Sequence, residues 1–358
     1  MKERRVVVKV GSNVLTRADG KPDVTAMSSL VDQIAELRGC GYEIVLVSSG
    51  AVACGRSAVT PSRHLDSVAS RQLYSSIGQI RLINLYSRLF AGYDIVIGQV
   101  LTQKENFNSR TAYLNQRNCM ITMLEAGALP IVNENDTVSL TELMFTDNDE
   151  LSGLIATMID AETLVILSNV DGIYTGNPSD PDSKLIARVA PGEDVSEYVL
   201  ASKSGFGRGG MGTKCAIAQK VSSEGVAVRI ANGSRANVLT GVILDPQNTP
   251  HTLFEPSPEP LDKVKRWIAH SSSFAKGIVR VNSNAAEALR SDRAVSLLPV
   301  GVTAVEGEWE EGDLVVLYDP EGALIGIGRS SMGSADAAAA IGRHGQRPLV
   351  HYDYLYLD

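Results

Sequence analysis

The chain is short of several things that would have narrowed its role at once. Its four cysteines, Cys40, Cys54, Cys119 and Cys215, are scattered through 358 residues with no C-x-x-C spacing, which argues against a disulfide framework or a thiol redox motif. The five histidines form no H-E-x-x-H, and "DNDE" lacks the D-x-[DN]-x-[DN]-G frame of an EF-hand, so no zinc or calcium site is predicted. No apolar run approaches the length of a membrane span. The opening "MKERRVVVKVG" begins like a leader, but Lys9 interrupts an apolar stretch already too short for one, and a cytoplasmic protein with reduced thiols is expected. Positive charge is also in deficit. A net charge of -8 offers no general attraction to nucleic acid or an anionic membrane, which leaves a small ligand as the default partner.

What is present is enough apolar residue, 44% of the chain, to bury a large core, and the length suggests two domains or three small ones. Strand-like runs recur at "RVVVKV", "YEIVLVSS", "DIVIGQVL", "ALPIVNE", "ETLVILS" and "VAVRIA". Longer stretches with helical spacing separate them, which predicts βαβ units and a mostly parallel sheet. In the first helical stretch Met27, Leu30, Val31, Ile34 and Leu37 share one face, and Gly39 and Gly41 supply a stop. Five of the fourteen prolines fall between Leu244 and Trp267, and this region reads as a linker. Beyond it "GIVRVN", "VSLLPVGVTAVEG", "DLVVLYD" and "ALIGIGRS" predict a small, mainly β domain, with Asp319-Pro320-Glu321-Gly322 as a turn between the last two strands.

The run "GFGRGGMGTK" packs five glycines into residues 205 to 214. It is not a Walker A loop, because Thr213 separates Gly212 from Lys214. Gly205, Gly207 and Gly210 satisfy G-x-G-x-x-G, but the acid that a dinucleotide site needs after a second strand is here Glu224, which precedes "VAVRI". Two readings remain. Consecutive backbone N–H groups and the start of a helix could hold an anion, with Lys214 adding a full charge. Alternatively, the run is a surface loop leading into "TKCAIAQKV".

Ligands of doubly wound sheets bind at the carboxyl ends of the strands. Those ends carry Lys9 with "GSN", Ser48 to Ala51, Asn133 to Asp136, and "SNVDG". A strand buried on both faces seldom tolerates an idle charge, which favours a functional Lys9 over an edge-strand lysine. "SSG" and "NEND" also suit a tight turn and an Asx-turn. Asp147, Asn148 and Asp149 open a helical stretch, where capping competes with a role in ordering lysines or a metal.

Taken in order, "VVVKVGSNVLT", "VLVSSGAVACG", "PIVNENDTV", "TDNDELSG", "LSNVDGIYTGNP" and "GRGGMGTK" resemble the motifs of the glutamate 5-kinases within the amino-acid kinase family. The tail from "KVKRWI" onward is similar to the PUA domain that many of them carry. The resemblance implies an α/β fold: an α/β/α sandwich with a mostly parallel central sheet over residues 1–255, a linker at 256–264, and a β-barrel-like PUA domain at 265–358. It implies ATP-dependent phosphorylation of L-glutamate to glutamyl 5-phosphate with Mg²⁺, feedback by proline, and self-association. Carried over by motif, Lys9 and Lys214 would meet the transferred phosphoryl group and Asp149 would orient them. Ser49, Asp136, Asn148 and Asp147 would bind glutamate. Ser168, Asn169 and the run Arg208, Gly209, Gly210, Met211, Gly212, Thr213 and Lys214 would contact ATP. The family usually has Thr-Asp at Ser168-Asn169 and Thr at Arg208.

The alternatives are another member of the same family acting on acetylglutamate or aspartate, a glutamate sensor without turnover, and an RNA-binding protein. The last is disfavoured because residues 262 to 358 carry ten Lys or Arg against thirteen Asp or Glu, leaving little counterion release to drive binding.

Overall fold

The computed structural model describes residues 4–107, 110–138, 148–195, 198, 210–258, 268, 275–291 and 295–357. The chain divides into two compact units, Met1–Asn106 with Leu114–Pro260, and Phe107–Tyr113 with Leu261–Asp358.

In the first unit the elements run β1 (Arg5–Val10), α1 (Ser12–Leu15), α2 (Val24–Gly39), β2 (Glu43–Ser48), α3 (Ala51–Arg56), α4 (Ser67–Ala91), β3 (Ile97–Thr102), α5 (Arg110–Glu125) and β4 (Leu129–Glu134). They continue with α6 (Asn148–Met158), β5 (Thr163–Ser168), β6 (Arg188–Val189), α7 (Met211–Ser223), β7 (Ala227–Asn232), α8 (Val238–Leu244) and β8 (Thr252–Phe254). Among the described residues the strands form one sheet in the order β3-β4-β2-β1-β5-β7-β8-β6. All neighbours are parallel except β7 and β8. The six strands expected from the sequence are β1 to β5 and β7. The stretch read as a linker is corrected here: α8 runs up to Leu244, and β8 then adds a strand to the sheet before any linker can begin. Its prolines, Pro250 and Pro256, stand outside the three-residue strand, so none removes a ladder hydrogen bond.

Side-chain alternation along β1 explains the layers. Val6, Val8 and Val10 face a core built with Met27, Leu30, Val31, Ile34 and Leu37 of α2, Leu82, Tyr86 and Phe90 of α4, and Val238, Leu239 and Val242 of α8. Lys9, offset by one residue, faces the other side of the sheet and meets α6 there. The sheet thus lies between two helical layers.

Two close approaches set the helices that carry the site. On α4, a Cβ at Gly78 would collide with the Ala51 carbonyl, and one at Gly55 of α3 would collide with the Tyr74 backbone. The two helices touch backbone to backbone there, as only glycine permits. Gly78→Ala is therefore expected to destabilise the protein by about 1–3 kcal/mol, the range for overpacking, measured by urea unfolding. On α6, a Cβ at Gly153 would lie 2.8 Å from Val221 Cγ2 and 3.1 Å from Ile217 Cγ2. Gly153 lies one turn from Asp149, and Ile217 and Val221 share a face of α7 with Lys214, so this contact brings the aspartate to the lysine.

The second unit has its own sheet, in the order β10-β9-β11-β12-β13, from β9 (Gly277–Val281), β10 (Val302–Gly307), β11 (Leu314–Tyr318), β12 (Leu324–Ser330) and β13 (Val350–Leu357). Its separate core includes Val279, Trp309, Val315, Leu317 and Ile325. The turn expected at 319–322 closes with Gly322 N–H donating to the Asp319 carbonyl at 3.1 Å, and Gly322 sits at φ +82. Strand β13 has no counterpart among the runs read from the sequence.

Candidate active site

Lys9 leaves the centre of the sheet near the carboxyl end of β1, flanked by β2 and β5. Its Nζ is 2.5 Å from Asp149 Oδ1, and Lys214 Nζ of α7 is 3.0 Å from Asp149 Oδ2. The two lysines are 205 positions apart in the chain, yet one carboxylate holds both. Asp149 is fully buried and both ammonium groups nearly so. Burial is the largest single influence on Asp149 and would raise its pKa. The charges of Lys9 and Lys214, with their hydrogen bonds, outweigh it and hold the carboxyl below its ordinary range. The site therefore carries two cations and a fixed anion at neutral pH. Cys215, the residue after Lys214, is pushed up to about 12 by burial, against the pull of the lysine charge, so it stays a neutral thiol.

Beside this cluster lies an open cleft of about 530 Å³ over the ends of β2 and β4, lined among others by Ser49, Gly50, Arg56, Arg71, Asn133, Glu134, Asp136 and Asn148. Asn148 Nδ2 donates to Ser49 Oγ at 2.8 Å and to Asn133 Oδ1 at 3.1 Å. Arg71 Nε donates to Asp136 Oδ1 at 2.7 Å and its Nη2 lies 3.4 Å from Glu134 Oε2. Burial raises the pKa of Asp136, opposed by Arg71.

Of the residues singled out in the sequence, Ser49, Asp136 and Asn148 thus meet in one cleft, and Lys9, Asp149 and Lys214 in one cluster. Ser168 and Asn169 do not line that cleft. Ser168 ends β5 and Asn169 follows it, on the side of β1 away from β2, where Ser168 is buried and Asn169 exposed. Gly210 caps α7 from an extended conformation, and Met211, Gly212 and Thr213 form the first turn ahead of Lys214. Asp147, Arg208 and Gly209 lie outside the described residues.

Arg71 of α4, and Gln79 of the same helix, whose Oε1 accepts from Asn133 Nδ2 at 2.9 Å, were not legible as site residues, although a signal exists. The inward stripe of α4 is Leu82, Tyr86 and Phe90 in its second half but Ser75 and Gly78 in its first. That change from apolar to small and polar marks where the helix leaves the core and borders a cleft.

Comparison with known proteins shows the family. The profile of the amino acid kinase family matches residues 4–232 and that of the PUA domain residues 277–352. A glutamate 5-kinase of Bacteroides thetaiotaomicron is 57% identical over 354 residues, 99% of this chain and 98% of its own. One from Chlorobaculum tepidum is 45% identical over 360 residues, 99% and 97% of the two chains. The chain belongs to the glutamate 5-kinases of the amino acid kinase family. A carbamate kinase from Giardia lamblia bound to AMP-PNP shares the fold, with a TM-score of 0.51 at 18% identity over 72% of this chain and 99% of that one. Among the described residues of this family member, no helix is long and apolar enough to cross a membrane.

Proposed function

We propose that this chain transfers the γ-phosphoryl group of ATP to the side-chain carboxylate of L-glutamate, giving L-glutamyl 5-phosphate, the acyl phosphate with which proline synthesis begins. The observation that carries the reading is the pair Lys9 and Lys214 held on one buried aspartate beside a polar cleft. Glutamate would occupy the cleft, on Ser49, Asp136, Asn148 and Asp147. ATP would lie on the opposite side of β1, on Ser168, Asn169 and the run from Arg208 to Lys214. The lysines stand at the seam between them.

The chemistry suits such a site. A carboxylate, with a reference pKa of about 4.3, is already ionised at neutral pH and needs no base, so no histidine is required. The obstacle is repulsion between the attacking carboxylate and the phosphate chain. Two fixed ammonium groups lower that repulsion and stabilise the charge on the transferring group, as phosphoryl transfer requires. Asp149 takes no proton; its role is to fix the lysines.

Magnesium would neutralise charge on the phosphates. Among the described residues no group of three His, Cys, Asp or Glu could hold a metal ion, and Asp149 is engaged by the lysines. The described residues thus do not build a metal site, and the ion would enter on the phosphates themselves.

The test is trapping of the acyl phosphate with hydroxylamine while ADP release is followed. With ATP and Mg²⁺, hydroxamate is expected from L-glutamate and not from L-aspartate or N-acetylglutamate. Hydroxamate from either of the latter alone would move the chain to another branch of the family, and none from any of the three would leave a sensor. Proline, as the expected feedback inhibitor, belongs in the same assay, and self-association in a sedimentation run.

A further inference from the structure

The side-chain amides bordering the cleft are polarised in one direction. The Glu134 backbone N–H can only donate, and it lies 2.9 Å from Asn133 Oδ1, which fixes that end of the Asn133 amide as its carbonyl. The other end, Nδ2, donates to Gln79 Oε1 at 2.9 Å. The same Asn133 carbonyl accepts from Asn148 Nδ2 at 3.1 Å, and the second hydrogen of Asn148 Nδ2 goes to Ser49 Oγ at 2.8 Å. Both amine hydrogens of Asn148 are thus used. Its Oδ1 has no hydrogen bond among the described residues, and Asn148 lines the cleft. Ser49 accepts through Oγ and keeps its own hydroxyl hydrogen.

We infer that Gln79 is a specificity-determining positioning residue: through Asn133 it holds Asn148 with its carbonyl available to a substrate ammonium and leaves the Ser49 hydroxyl to donate to a substrate carboxylate. The cleft is then built for a zwitterionic head group. This rests on the reading of glutamate as the substrate and deepens it.

The physical reason lies in Asn133, which is 4% exposed. Gln79 is the acceptor for its Nδ2 among the described residues, and a buried donor without a partner is costly. Without that acceptor Nδ2 is left buried and unpaired, the Glu134 N–H opposes a simple amide flip, and the cost is relieved by swinging the whole Asn133 side chain, which withdraws Oδ1 from Asn148. Asn148 then loses one of two anchors and can turn its amine toward the cleft, where it repels an ammonium. Among the described residues Gln79 Nε2 is itself buried with no partner. The orientation of Gln79 therefore follows from what Asn133 needs and satisfies nothing of its own.

The experiment compares full-length wild type with Gln79→Met, which keeps length without the acceptor, and Gln79→Glu, which keeps the acceptor. Substrates are L-glutamate and glutarate, which has both carboxylates and no ammonium. Gln79→Met is expected to raise KM for glutamate and to lower the glutamate-to-glutarate ratio of kcat/KM, each by about tenfold, the size of one hydrogen bond lost from a buried network. KM for ATP should not move. Gln79→Glu should keep the ratio within about threefold of wild type, since the acceptor remains. A Gln79→Met enzyme with the wild-type ratio overturns the inference, as does one that loses kcat alone. If thermal melting shows that Gln79→Met does not fold, Gln79→Glu decides, and a collapsed ratio there overturns it. Wild type that gives no hydroxamate from glutamate refutes the proposed function itself.

Discussion

Lys214→Ala is expected to lower turnover by about 10² to 10³ at saturating ATP and glutamate, the loss seen when one charge-stabilising contact to a transition state is removed. Lys9→Ala should lose a similar factor. Both lysines touch the same carboxylate, so each deletion also takes one of these two ammonium groups away from Asp149. Thermal melting of the same samples separates a missing cation from a disturbed fold. The two effects should not add in the double variant, because residues acting as a unit fail together. Wild-type turnover in either single variant would remove both lysines from the reaction.

Asp149→Asn is expected to be harsher on the fold. It keeps the side-chain volume but leaves two neighbouring ammonium groups, both nearly buried, without their shared counter-ion. Removing one member of a buried ion pair costs about 3–5 kcal/mol, measurable by urea unfolding, and turnover should fall with it because the lysines lose their anchor. The pH dependence has a definite sign. The folded-state pKa of Asp149 is depressed. Its contribution is therefore complete above the unfolded pKa of about 3.9 and is lost as pH falls from there through the folded value. The stability gap between wild type and Asp149→Asn should be constant near neutrality and narrow only in acid. A gap that closed already at pH 6 would mean that the carboxyl is not held in its ionised form by the lysines.

Strands buried on both faces were the most legible part of the fold. β1, β2, β4 and β5 are almost wholly buried, so each reads as an unbroken apolar run, and a lysine inside such a run stands out. β6 and β8 have two and three residues, too few to give a period. β13 was missed for another reason: in "VHYDYLYL" only Val350 and Leu355 are buried, and exposed polar and aromatic residues stand between them. The cluster at Lys9, Asp149 and Lys214 was traceable because each member sits in a motif. Arg71 and Gln79 were not, because a helix that borders a cleft shows only a local loss of apolar residues, and their partners Asp136 and Asn133 are supplied by another element.

The placement of β1 also bears on how the enzyme comes into being during synthesis. Its lysine is made first of the three, and the aspartate that holds it and the second lysine follow 140 and 205 residues later. Contacts of such sequence separation form late and slowly, since long loops must close before they are rewarded. A nascent chain still lacking α7 can assemble much of the sheet and has no phosphoryl-transfer chemistry, so activity should arise in one step near completion of the first unit.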